Sequence, residues 1–167
     1  MTLRGLGEGR GARYTRAMPA TAVLVERVSE VTDELVTVMA RLLPQLSSTA
    51  VAPDRAALED VVSSPASSLF VARLHSRPGE IIGTITLVIY RIPSGLHAVI
   101  EDVIVDESAR NHGVGAALVS EVVGIARGLG ARHVNLTSRS ARVAANRLYQ
   151  KAGFYVRDTN VYRFDLS

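Results

Sequence analysis

Arg110-Asn111-His112-Gly113-Val114-Gly115 is the stretch that decides the fold, because of what stands on either side of it. Before it, Ala98-Val99-Ile100-Glu101-Asp102-Val103-Ile104-Val105 is rich in β-branched residues and has the length of a strand. After it, Ala116 to Gly128 spaces apolar side chains as a helix does. A strand that turns through two glycines into a helix leaves several backbone N–H groups unpaired and aimed at one spot. Such a turn cradles a phosphate or pyrophosphate. Gly113 and Gly115 let the backbone approach the anion with no Cβ in the way. The turn reads as a site for a nucleotide-like cofactor.

Outward from that turn, the pattern continues in both directions. Thr21–Val28 alternates as a strand. Thr32 or Asp33 caps a helix that runs to about Leu43, with Leu35, Val36, Met39, Leu42 and Leu43 as its apolar face and Pro44 following its end. Asp54 caps a second helix, Arg55–Val62, closed by Ser63-Ser64-Pro65. Ser68–Leu74 and Ile81–Tyr90 read as antiparallel strands joined by Ser76-Arg77-Pro78-Gly79. Ile92-Pro93-Ser94-Gly95 turns the chain into the strand Leu96–Val105. Beyond the long helix lie a strand at His133–Thr137 and a helix at Ala141–Ala152 stopped by Gly153. Phe154–Arg157 and Asn160–Leu166 are expected to close the chain as a hairpin. This order predicts a single α/β domain at 21–167, with a mixed, mostly antiparallel sheet and helices on both faces. The crossover through the long helix should make Leu96–Val105 and His133–Thr137 parallel neighbours.

Composition narrows the function classes. The chain has 167 residues, 47% apolar and 21% charged, the profile of a globular domain with a proper core. Its net charge of +3 is that of residues 1–20, where Arg4, Arg10, Arg13 and Arg16 stand against Glu8. Those residues, rich in glycine as well, read as a disordered leader or as a basic arm. The remaining residues balance 15 basic against 15 acidic groups, so they offer no general basic surface to nucleic acid. With no cysteine, a disulfide framework and a thiolate metal site are both excluded. His75, His97, His112 and His133 lack ligand spacing, so no metal site is expected. No run approaches the roughly 20 apolar residues of a membrane span. The Arg/Gly-rich start has no secretory apolar stretch, which predicts a cytoplasmic protein.

Two motifs then carry a resemblance. Arg110-x-x-Gly113-x-Gly115 resembles the acyl-CoA signature (Q/R-x-x-G-x-G/A) of the GNAT family of N-acetyltransferases. Ala145-Asn146-Arg147-Leu148-Tyr149-Gln150-Lys151-Ala152-Gly153-Phe154 resembles that family's second motif, A-x-x-L-Y-x-x-x-G-F. The likeness is close over 96–157, and the element order is similar from 21 to the end. It implies acetyl transfer from acetyl-CoA to a primary amine of a small molecule or peptide, and is compatible with a homodimer. It also implies a GNAT-like fold and a cofactor site at Arg110, Asn111, His112, Gly113, Val114, Gly115 and Ala116. The family often has Gly then Arg or Lys where Asn111 and His112 stand. Asn tolerates the left-handed backbone, while a mostly neutral His112 attracts a pyrophosphate less than a fixed cation.

Such a reaction needs a deprotonated amine, donors for the oxyanion, and a proton or hydrogen bond for the leaving thiolate. The resemblance implies Tyr149 for the last, with Asn146 three residues earlier on the same helical face as a further cofactor-binding residue, so that both side chains can reach one cofactor. A free phenol near pKa 10 giving its proton to a thiolate whose thiol is near 8.5 goes uphill by about 2 kcal/mol. Tyr149 therefore either has a lowered pKa or only hydrogen-bonds the sulfur. Glu101 is the candidate base. An ordinary alkylammonium near pKa 10.4 costs about 4–5 kcal/mol to deprotonate at pH 7, so a free glutamate is too weak a base unless burial raises it or water relays the proton. Asp102 is expected on the opposite sheet face. His97 shares the face of Glu101 about 13 Å along the strand. By resemblance, main-chain groups of Ile104 and Val105 pair with the pantetheine arm like an added strand and supply an oxyanion donor. Arg139 and Arg142 are candidates for CoA phosphates or simple surface capping. The acceptor falls, by resemblance, to segments such as Ser47–Pro53 and Ile92–Gly95, whose scarcity of charge favours an uncharged or mildly apolar amine. Two other classes stay open: a non-catalytic acyl-CoA-binding regulatory module, and a nucleic-acid-associated protein acting through the basic leader.

Overall fold

The structure, a computed structural model, describes residues 22–47 and 49–166. The Arg/Gly-rich leader lies outside the described residues. Five strands form one sheet in sequence order: β1 (Val23–Arg27), β2 (Ser67–Leu74), β3 (Gly83–Ile92), β4 (Gly95–Val105) and β5 (Val134–Asn135). The first four are antiparallel neighbours, β2 to β4 through short connections at 75–82 and 93–94 and β1 to β2 across the helices between them. β4 and β5 run parallel, Ala98 opposite Val134 and Val99 opposite Asn135, the crossover expected from the sequence. The architecture is therefore a mixed, mostly antiparallel sheet with helices on both faces.

Helix α1 (Asp33–Leu46) begins on Thr32, whose hydroxyl accepts the Leu35 N–H at 3.2 Å. It runs through Pro44 rather than stopping before it. A proline that late forfeits only the bond to the carbonyl of exposed Ala40, and the Ser47 N–H closes the helix on Leu43 at 3.1 Å. Helix α2 (Arg55–Ser63) starts on Asp54, which accepts the Ala57 N–H at 2.8 Å. Helix α3 (Val114–Gly128) follows the glycine turn, and α4 (Val143–Lys151) follows β5.

Alternation in the strands builds two cores. Phe70, Ala72, Ile85, Leu87, Ala98 and Ile100 meet Val114, Leu118, Val119 and Val122 of α3 on one face. Leu69, Val71 and Ile104 meet Leu35, Met39 and Leu42 of α1 and Leu58 of α2 on the other. Ile100 and Ile104, four residues apart on one strand, would share a face under strict alternation. They do not, because β4 carries a bulge: Thr84 pairs with Ile104 and Thr86 with Glu101, so one residue of β3 faces two of β4. Asp102 sits in the bulge with φ 48, in the left-handed region.

The end of the chain departs from expectation. Phe154 folds back, its N–H donating to the Tyr149 carbonyl at 3.0 Å, but no strand forms between 154 and 166. Tyr155, Val156, Tyr162, Phe164 and Leu166 are all more than four-fifths exposed. The alternation there is a local preference that needs a neighbouring ladder to become a strand. β5, two residues long instead of the expected five, offers almost none.

Candidate active site

The turn after β4 is held from beneath by α1. Asp106 is buried and accepts the Ser108 N–H at 2.9 Å, capping a single 3-10 turn at Glu107–Ala109. Its carboxylate pairs with Arg41, which also donates to the Ile81 carbonyl at 3.2 Å. Gln45 Oε1 accepts the Glu107 N–H at 3.0 Å. The sequence reading missed these three positioning residues. The signal for Asp106 was present as an acid two residues before Ser108, the spacing of an Asx turn. Arg41 and Gln45 are 62 residues or more from their partners at 106–107 and carried no local signal.

Asn111 and Gly113 both adopt left-handed backbone, at φ 66 and φ 77. Their conformations fan the following amides outward. Ala117 is the first residue whose N–H finds a helical partner, the Gly113 carbonyl at 3.0 Å. Among the described residues, the N–H groups from Asn111 to Ala116 have no backbone or side-chain acceptor. A Cβ at Gly113 would meet nothing within 4 Å, so the space in front of these donors is open. A pyrophosphate fits such a cradle. Gly115 serves a different purpose: a Cβ there would stand 2.8 Å from Leu148 Cδ2, so the glycine seats α4 against the start of α3. The Arg110 guanidinium pairs with Glu107 at 3.1 Å, and His112 Nδ1 lies 2.9 Å from the Arg110 carbonyl. Past Val99, the side of β4 that faces β5 has no strand partner, leaving the edge at Ile104 and Val105 free on that side.

Glu101 and Asp102 do not point to opposite faces. Glu101 is the cross-strand partner of Thr86, and Thr86 and Asp102 line the same cavity under α1 and α2. The bulge explains the difference from strict alternation, since it turns two successive residues toward one side. Partial burial, and then the Asp102 charge, raise the Glu101 pKa above the ordinary carboxylate value. Burial removes water from the charged form, and a second carboxylate beside it repels the charge.

Tyr149 is 6% exposed, packs within the α3-side core and meets Phe154 edge-on at 6.1 Å between ring centroids. Burial pushes its phenol pKa up, with Arg142 acting in the opposite direction. Its hydroxyl has no hydrogen bond among the described residues. Asn146 is committed to structure: its Nδ2 donates to the Arg139 and Ser140 carbonyls at 3.0 and 3.4 Å, tying α4 to the loop after β5. His97 belongs elsewhere. At the start of β4 its Nε2 lies 3.1 Å from Ser94 Oγ and its Nδ1 2.9 Å from His133 Nε2. Burial, then His133 and Arg132, hold its pKa below the usual imidazole value. Among the described residues no group of His, Asp or Glu side chains could hold a metal ion, and no helix is long and apolar enough to cross a membrane.

A mixed sheet whose fourth strand kinks, parts from the fifth and delivers an anion-cradling turn defines an acyl-CoA-dependent transferase. The chain belongs to the acetyltransferase (GNAT) family, whose model matches residues 35–154. It is an N-acyltransferase of that type. Among solved structures, an aminoglycoside acetyltransferase from an uncultured soil metagenomic sample is similar at TM-score 0.72 and 19% identity, over 87% of this chain and 96% of that one. An acetyltransferase of Trypanosoma brucei is similar at TM-score 0.68 and 26% identity, over 87% of this chain and 100% of that one. The glucosamine-6-phosphate N-acetyltransferase of Arabidopsis thaliana is similar at TM-score 0.68 and 19% identity, over 86% of this chain and 98% of that one. No curated protein matches the chain.

Proposed function

We propose that residues 21–167 form an N-acetyltransferase domain that moves an acetyl group from acetyl-CoA to a primary amine by direct transfer. The observation that carries this reading is the run of unpaired N–H groups from Asn111 to Ala116 opening onto free space at Gly113. Those donors would hold the pyrophosphate, and the free edge of β4 at Ile104 and Val105 would pair with the pantetheine arm. Bound there, acetyl-CoA supplies an acetyl group activated as a thioester.

The chain's own residues then divide the work. Glu101 accepts the proton of the incoming amine, directly or through water, and its raised pKa narrows the gap to the ammonium. A main-chain N–H at the free β4 edge faces the charge that develops on the carbonyl oxygen. Tyr149 hydrogen-bonds the departing sulfur and keeps its own proton, because burial makes its phenol a weaker acid than a free one. The thiolate leaves as thiol by taking the second proton, shed by the nitrogen as the amide forms. Direct transfer is favoured because the chain has no cysteine to carry the acetyl group. The test is release of free thiol from acetyl-CoA against a panel of primary amines, with Gly113→Val as the cofactor-site variant. Thiol release in the wild type, and loss of acetyl-CoA binding by a folded Gly113→Val, are the expected results. Acetyl-CoA binding without thiol release under any amine would make the chain a non-catalytic module instead.

A further inference from the structure

We propose that the cavity between α1, α2 and the bulge of β4 is the acceptor pocket, and that it selects a small primary amine with a compact apolar body whose nitrogen is held by Asp102. The inference rests on the acetyltransferase reading and adds the class of acceptor to it.

The cavity measures about 210 Å³. Met39 and Leu43 of α1, Val61 of α2 and Val51 of the connecting loop form its walls. Its polar lining, the sheet side or floor, is buried Thr84, Thr86 and exposed Asp102. The Thr84 side chain is 0% exposed, and its Oγ1 has no hydrogen-bond partner. A buried hydroxyl left in that state is costly, and a ligand atom resting on the floor would relieve it. Asp102 is held at φ 48, a conformation that strains an ordinary residue and that persists where the surroundings demand it. No arginine or lysine lines the cavity, and neither Asp102 nor Glu101 forms an ion pair among the described residues. Asp102 therefore offers the cavity an unpaired, solvent-exposed carboxylate, complementary to an ammonium group.

Size and wall chemistry set the rest of the molecule. An apolar cavity of about 150 Å³ accommodates benzene, so this one takes a single ring or a branched chain with an aminomethyl arm. A hydroxylated amine such as an amino sugar would lay its hydroxyls against Met39, Leu43 and Val61, which offer them no partner. An amine nitrogen on the floor lies beside the strand position of Glu101, the base that must receive its proton.

The experiment uses the full chain with benzylamine and cyclohexylmethylamine against glucosamine and ethanolamine, read both by thiol release and by the methyl resonance of Met39, with and without coenzyme A. Met39 is one of three methionines and lines the cavity, so its signal reports occupancy whatever the turnover. The expected result is a kcat/KM for the apolar amines at least about tenfold above the hydroxylated ones, with a shift of the Met39 signal. Asp102→Asn, whose side chain also accepts left-handed backbone, should raise the amine KM about tenfold and leave the acetyl-CoA KM unchanged. Ala57→Phe, on the exposed side of α2 at the cavity, should fill the pocket and depress the rate with apolar amines while the chain stays folded. Thiol release that favours hydroxylated amines, with Met39 unmoved, would overturn the pocket and leave the acetyltransferase standing. A shifted Met39 signal with no thiol release from any amine would overturn the acetyltransferase reading and leave apolar-amine binding standing.

Discussion

Gly83→Ala tests the packing that sets the cofactor turn. Gly83 opens β3, and a Cβ built there would stand 2.9 Å from the Ile104 carbonyl oxygen, 3.0 Å from Val114 Cγ1 and 3.2 Å from Leu118 Cδ1. The first of these atoms is backbone and cannot rotate away. The other two belong to fully buried side chains of α3, so relief requires α3 to lift from the sheet or β3 to part from β4. Overpacking of this kind costs about 1–3 kcal/mol. Alanine recovers about 0.5–1 kcal/mol by restricting the unfolded chain more than glycine does. The net loss is about 0–2.5 kcal/mol, or up to roughly 10 °C in Tm for a domain of this size. Calorimetry on the purified chain measures it directly. Because Val114 is the first residue of α3, the acetyl-CoA KM should rise as well. A higher Tm together with an unchanged acetyl-CoA KM would refute the claim that this glycine is required by close approach.

The pH dependence of the wild type should show an acid limb in kcat/KM set by Glu101. Burial and Asp102 raise its pKa, so the base form is lost as pH falls through a value above the ordinary glutamate range of about 4.3. Glu101→Gln should abolish that limb and lower kcat by about 10²–10⁴-fold, whereas Asp102→Asn should move the limb to lower pH; a profile unaffected by either substitution would remove Glu101 as base. Tyr149→Phe should lower kcat about 10- to 100-fold with a smaller effect on the acetyl-CoA KM, the loss of one hydrogen bond to a charged sulfur; unchanged kcat would take the phenol out of the mechanism. Glu34 and Arg73 clasp α1 to β2 through two contacts of 2.8 Å, and the guanidinium lowers the Glu34 pKa. A lowered carboxylate pKa gives stability that is complete above the unfolded value and is lost as pH falls through the folded one. The pair is partly exposed, so the Tm gap between wild type and Glu34→Gln should correspond to less than about 1 kcal/mol at neutral pH. It should close as pH falls through the lowered Glu34 pKa, and a gap that stays constant into acid would contradict the pairing.

The elements most readily read from the sequence were those with local causes. Thr32 and Asp54 announced their helices by capping chemistry, and the two short turns at 75–79 and 93–94 announced antiparallel pairs. The parallel placement of β5 followed from the handedness of crossovers, which is a property of all chains. The cradle at Asn111 and Gly113 was readable because its geometry is written in residues that tolerate positive φ. What escaped was set by distant partners. The bulge leaves no local mark except an aspartate in a β-branched strand, and it changed which face Asp102 occupies. The support of Asp106 by Arg41, and the seating of Gly115 against Leu148, are contacts between segments far apart in the chain. At the carboxyl end the alternation was real, yet Phe154–Leu166 lacks the neighbour that would turn preference into a ladder.

The kink in β4 works as a phase slip of one residue, and the two halves of the molecule are built on opposite sides of it. Ile100 before it belongs to the layer under α3, and Ile104 after it belongs to the layer under α1 and α2. Excising Asp102 would restore regular pleating and leave Val103, Ile104 and Val105 on the faces they already occupy, because Glu101 and Ile104 would keep Thr86 and Thr84 as partners. What would be lost is the one residue that the slip places at the cavity under α1 and α2, and its φ of 48 restricts what can stand there. A lineage drifting toward new acceptors can thus change this position only among residues that tolerate positive φ, or drop it and keep the sheet.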